Sequence, residues 1–174
     1  MFRFVTLLTL VVAFVVAFVW TPALVAEDLE AELDAYWSRV AAYLAAGDYE
    51  GVVSTYHPEA VLVSERLDTS YPITQALERW KPGIMDTRAG KTTSMVEFRI
   101  TRRLYSEDTS HEQGIFHYRA GPTDPQATEK EFAEDYVHFE ALLLKADEWQ
   151  MVMEYQKNSA TSEEWAAARS APRD

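Results

Sequence analysis

Leu44-Ala-Ala-Gly-Asp-Tyr-Glu-Gly-Val-Val53, running on into Tyr56-His-Pro-Glu-Ala-Val-Leu-Val63, is the stretch that decides the fold. Its first half ends a helix, with Gly47 supplying the left-handed C-terminal cap that a side chain would strain. Asp48 is then placed to cap a short second helix that buries Val52, Val53 and Tyr56. His57-Pro58 ends that helix, because proline disfavours helical backbone in the residue before it. Ala60 to Val63 follows as a short β-branched strand.

Upstream, Leu29, Leu33, Tyr36/Trp37, Val40 and Tyr43/Leu44 recur every three to four residues and form one apolar stripe on a long helix. Downstream, Tyr71-Pro72 predicts a turn, and Thr74 is a candidate cap for a third helix through Ala76, Leu77 and Trp80, stopped by Pro82-Gly83. After Gly90 the period changes to two. Val96, Phe98, Ile100 and Leu104 alternate with Glu97, Arg99, Thr101 and Arg103, the pattern of a sheet with one buried face. His111 to Arg119 and Tyr136 to Leu144 are two further strands. Gly121-Pro-Thr-Asp-Pro125 is a loop, and Lys145-Ala-Asp-Glu148 turns the chain into a last strand from Trp149 to Gln156. Thr161-Ser-Glu-Glu164 is a capping box for a short helix in the tail, 159–174. Helices first and an antiparallel meander afterwards predict an α+β domain over 27–158.

Residues 1–26 have the pattern of an export signal. One basic residue, Arg3, precedes an uncharged run from Phe4 to Trp20, and Ala23-Leu-Val-Ala26 leads to the acidic Glu27-Asp28. The apolar run is nearly long enough to cross a bilayer, so a retained N-terminal anchor is the alternative, and only then would a membrane be a partner. Either way the domain is expected in the periplasm or secreted. The chain carries a net charge of −12, which disfavours nucleic acid and anionic lipid as partners. It has no cysteine, so thiol catalysis and Cys-ligated metal are excluded. The four histidines show no ligand spacing, and neither a metal nor a cofactor is expected.

The helix end at Leu44–Val53, its continuation through Tyr56-His-Pro-Glu-Ala-Val, and the closing Asp147-Glu-Trp-Gln-Met-Val152 resemble the NTF2-like superfamily, specifically its SnoaL-like and DUF4440-type members. The resemblance covers about residues 28–157. It implies a cystatin-like cone in which three N-terminal helices pack on a strongly curved antiparallel sheet around an apolar cavity, often in homodimers joined through the sheet. Against the ketosteroid isomerase branch, the chain has Val40 where the resemblance would place the catalytic tyrosine, Ser64 at the general base, and Phe139 near the oxyanion-stabilising aspartate. Steroid isomerisation by that mechanism is therefore not expected.

Glu154, in the apolar Met151-Val-Met-Glu-Tyr155, is the one candidate catalytic residue. If buried, it is a base or a polar anchor; if its strand has the opposite parity, it faces solvent. Tyr36, Tyr56, Trp80, Phe98, Tyr118 and Phe139 are the candidate ligand-binding walls, together with Glu154, and the same aromatics could instead fill the cone as core. His138 and Glu140 are expected on the outer face of their strand. Three functions follow: a small-molecule binder, an isomerase, hydratase or hydrolase using Glu154, or a dimeric interaction module with a filled cone.

Overall fold

The computed structural model describes residues 22–168. Most of the expected leader, 1–21, and the last six residues of the tail lie outside them. Helix α1 (Pro22–Ala46) leads to α2 (Tyr49–Ser54), β1 (Tyr56–Ser64), β2 (Thr69–Pro72) and α3 (Ile73–Arg88). Strands β3 (Thr92–Tyr105), β4 (Thr109–Pro122), β5 (Ala133–Lys145) and β6 (Trp149–Ser159) follow, and α4 (Ser162–Ala168) ends the described chain.

The junction after α1 forms as the sequence dictates. Gly47 has φ +66°, and a Cβ there would lie 2.2 Å from the Arg88 backbone nitrogen, so glycine is needed twice over. The Asp48 carboxylate accepts from the Gly51 N–H and caps α2, a contact worth about 1 kcal/mol. The stripe of α1 is buried as expected, with Leu33, Tyr36, Trp37 and Val40 in the core. At the other end, Thr161 and Glu164 make the reciprocal bonds of the capping box.

Four local expectations need correction. The second helix stops at Ser54, so Tyr56 opens β1, and Val53 is 37% exposed. Pro58 is accommodated because the β1–β6 register shifts between Tyr56 and Val61, and proline is tolerated at such irregularities. Tyr71-Pro72 closes a strand, β2, antiparallel to β1, and α3 starts at Ile73 with no side-chain cap from Thr74. Helix α3 also runs through Pro82 to Arg88. Proline inside a helix costs about 3 kcal/mol, but Ile84, two residues further on, is buried in the core, and packing outweighs local propensity.

The sheet is open, curved and mixed, in the order β2-β1-β6-β5-β4-β3. Its departure from the expected all-antiparallel arrangement is β1, which lies parallel to β6. Helices α1, α2 and α3 cover the concave face, and most of the buried core lies between them and the sheet. A register shift between Ile100 and Arg102 then decides the polarity of the interior. The extra residue, Thr101, reverses the alternation of β3. Arg103 therefore turns inward, 5% exposed, while Leu104 is 52% exposed on the convex face, the opposite of its expected side.

Candidate functional site

One row of side chains crosses the concave face of the sheet in register: Leu62 on β1, Glu154 on β6, Ala141 on β5, Glu112 on β4 and Arg103 on β3. Two carboxylates thus stand on either side of an alanine, two strands apart, about 10 Å between backbones. Both are buried, and α1 roofs them with Tyr36 and Trp37.

Glu154 faces inward, which settles the parity left open by the sequence. Tyr56 donates to its Oε2 at 2.6 Å and Gln156 to its Oε1 at 2.6 Å. Burial raises the Glu154 pKa above the ordinary carboxyl value, and the bonds from Tyr56 and Gln156 only partly offset that rise. Burial also pushes the Tyr56 and Tyr36 phenols upward, with the Glu154 charge adding to both. The Tyr36 hydroxyl donates to the Thr55 carbonyl at 3.0 Å.

These shifts give a pH dependence with a definite sign. The folded chain holds the Glu154 proton more tightly than the unfolded chain does. Its contribution to stability is complete below the unfolded pKa and is lost as the pH rises through the higher folded value. Glu154→Gln is expected to flatten that part of the stability profile. Denaturant titrations from mild acid to neutral pH test this, and an unchanged slope in the variant would remove the assignment.

Sequence reasoning missed the other half of the row. Glu112, near the start of the expected strand from His111 to Arg119, is 0% exposed. It accepts from Trp37 Nε1 at 2.8 Å, from Arg103 Nε at 2.9 Å and from Ser110 Oγ at 3.1 Å. Arg103 also donates to Asp34 at 3.0 Å and to the Glu30 carbonyl at 3.3 Å. Burial alone would lower the Arg103 pKa, but the Glu112 and Asp34 carboxylates more than compensate and hold its proton in place. Only the bulge at Thr101 turns Arg103 toward Glu112, and it has no signature in the alternation.

Tyr36, Tyr56 and Glu154 therefore come together at the β1–β6 end of the row. Phe139, 2% exposed, sits in an aromatic cluster with Trp37, Phe98 and Phe116, with ring centroids 4.5–6.4 Å apart. Tyr118 is half-buried on β4 opposite Val96, and its phenol is pushed upward by burial alone. Trp80, on α3, packs against the edge of the core. Among the described residues, no buried side-chain nitrogen or oxygen lacks a partner, and no group of three or more His, Asp or Glu could hold a metal ion.

Two of the surface clefts formed by the described residues stand out, and neither is lined by Glu154. A polar one on the convex face, about 470 Å³, has His138, Gln113 and Lys157 in its walls. His138 and Glu140 lie on that outer face, as expected, paired with Glu164 and with His111 and Lys157. The larger, about 530 Å³, runs along the free edge of β3 between α1 and α4. Trp37 and Phe98 form its apolar floor, Ala41 and Trp165 its flanks, and Asp34, Ser38 and Glu97 its polar rim. Of the expected wall residues, only Phe98 lies in it.

No protein-family model matches the chain, and no curated protein matches it in sequence. Solved structures do match. A nuclear transport factor 2 (NTF2-like) superfamily protein from Salmonella enterica superposes with a TM-score of 0.58 at 10% identity, over 79% of this chain and 95% of that one. The beta subunit of the benzoate 1,2-dioxygenase from Burkholderia mallei gives 0.58 at 17%, over 73% and 88%. A ketosteroid isomerase-like protein from Erwinia carotovora gives 0.50 at 14%, over 76% and 93%. Helices on one face of this open, curved sheet, and their superposition on such structures, give the chain the fold of the NTF2-like superfamily.

Proposed function

We propose that this chain is an exported, non-catalytic binding domain of the SnoaL-like, DUF4440 type, which takes a small organic ligand at the edge of β3 and pairs with a second copy through its convex face. The observation that carries the binding role is the edge cleft, whose size and mixed lining suit a small ligand. The interior is a poorer host. The aromatic cluster occupies it, and both oxygens of Glu154 are already engaged. That engagement, with Val40, Ser64 and Phe139 standing in the core, also weighs against the isomerase, hydratase or hydrolase alternative. Export rests on the leader pattern of residues 1–26.

Native mass spectrometry of the domain purified from its export route tests the binding role. A co-purifying mass is expected, released on denaturation and lost in Ser38→Trp, which fills the cleft from an exposed position on α1. A mass retained in that variant would move the ligand elsewhere.

Pairing rests on a second row. Val61, Met153, Leu142, His111 and Leu104 lie in register across the convex face. Val61, Leu142 and Leu104 are 40%, 38% and 52% exposed, and Leu144, 45% exposed, extends the patch. Exposed apolar patches of this kind mark interaction sites. In a two-fold interface each substitution counts twice, so Leu142→Lys is expected to weaken self-association by roughly tenfold or more. Sedimentation equilibrium reads this out, and a monomeric parent chain would end the proposal.

A further inference from the structure

We propose that the polar cleft of the convex face binds a small neutral polyhydroxylated molecule, of the chemistry of a sugar, held by the side-chain amides of Gln113 and Asn158. This site shares no lining residue with the edge cleft and is independent of it. It lies between the exposed apolar row and α4, since Gln113 follows His111 of that row by two residues and His138 faces Glu164 of α4.

Two bulges and a glycine make the hollow. Thr101 is the extra residue of β3, beside Gly114 and Gln113 of β4. A Cβ on Gly114 would lie 2.3 Å from the Arg99 carbonyl oxygen, so glycine is what lets β4 pass this close to the bulge. Gly114 pairs in turn with Phe139 of β5. Between Val137 and Phe139 the β5–β6 register shifts, and two residues of β6, Lys157 and Asn158, stand against His138 alone. The irregularities fall at one level on four adjacent strands. Bulges bend a sheet and re-aim side chains, and here they open a cleft of about 470 Å³.

The charged groups of the lining are already engaged. Lys157 donates to Glu140, His138 lies 3.5 Å from Glu164, and Glu65 accepts from the Tyr155 hydroxyl at 2.5 Å. The groups left over are neutral. Among the described residues, the side-chain amides of Gln113 and Asn158 have no hydrogen-bond partner. The Thr101 hydroxyl donates to the Gln113 carbonyl at 3.2 Å and keeps its lone pairs for a ligand.

These groups set the ligand class. Each amide offers an N–H pair and a carbonyl, and hydroxyl groups, which both donate and accept, match that set. An anion would meet the Glu65 carboxylate and a chain of net charge −12, and a cation would meet the Lys157 ammonium. The volume falls within the range of small-molecule sites and admits a mono- or disaccharide. The two amides serve no hydrogen bond of the fold, so replacing them tests binding without disturbing folding.

The test follows the backbone amide resonances of the whole chain during titration with trehalose, glucose and myo-inositol. With few bonds and an open mouth, a Kd of about 1–10 mM is expected for at least one of them. It should shift the signals of Gln113, Gly114, His138 and Asn158 saturably and leave those of Val96 to Ile100 unmoved. The double variant Gln113→Ala, Asn158→Ala should keep the melting temperature and weaken the binding at least roughly tenfold. Ser38→Trp, which fills the edge cleft, should leave it unchanged. Undiminished binding in the double variant, or its loss in Ser38→Trp, would overturn the proposal. So would the absence of saturable shifts with all three polyols. Sodium phosphate is the charged control, and if it shifts the same signals while the polyols do not, the neutral class falls.

Discussion

Glu112→Ala is expected to lower the free energy of unfolding by about 3–5 kcal/mol, because it removes the buried partner of Arg103 and leaves that charge only the half-buried Asp34 carboxylate and the Glu30 carbonyl. Arg103 and Glu112 have side chains 3% and 0% exposed, so water cannot take over the lost bonds. Trp37 Nε1 loses its acceptor as well. Against a total of about 5–15 kcal/mol for a domain, this is a large share, and the variant should unfold at much lower denaturant with little change in slope. The paired replacement Arg103→Met with Glu112→Leu should recover most of the loss, since an apolar pair can replace a buried ion pair at little cost. What remains is the unpaired indole N–H, about 1–3 kcal/mol. A loss below about 1 kcal/mol for Glu112→Ala, the size of an exposed ion pair, would show that the interior is wet.

Phe139→Ala is the second large effect, at about 3–5 kcal/mol. Phe139 packs against Trp37 at 5.4 Å and against Phe98 and Phe116 at 5.8 Å, so its removal opens an apolar void at the centre of the cone. Such voids stay dry and accept small aromatics. Benzene should therefore raise the melting temperature of the variant by mass action and leave the parent chain unmoved. An equal rise in the parent would mean that the cone already has room for a ligand, and the binding site would move back inside.

The sequence carried its local signals well and its long-range ones poorly. Gly47, Asp48 and the Thr161–Glu164 box act within a few residues, so their roles could be read directly. The apolar stripe of α1 and the alternation of β3 were equally plain. Failures came where one residue depends on distant neighbours. Thr101 looks like any strand residue, yet as the extra residue of a bulge it exchanges the fates of Arg103 and Leu104. Pro82 looks like a stop, but the core seat of Ile84 keeps α3 going. Strand β2 is four residues long and exists only because β1 lies beside it.

The candidate site divided along the same line. Glu154 was visible as a lone charge in an apolar strand, although its facing was not. Tyr36, Tyr56 and Phe139 were visible as aromatics, although nothing local says whether such residues line a space or fill one. Glu112 was hidden because its partner, Arg103, is brought to it by a bulge on the neighbouring strand.

The parallel pairing of β1 with β6 has a kinetic consequence. The bond from Tyr56 to Glu154 spans 98 residues, and β1 has only the short β2 beside it until the last strand has been made. Because contacts so remote in sequence slow folding, α1 to α3 can gather as local structure but cannot close. A chain emerging from the ribosome at about 5–20 residues per second would therefore stay open for most of its synthesis. Under the export proposed above, that delay would keep the polypeptide threadable until its far end arrives.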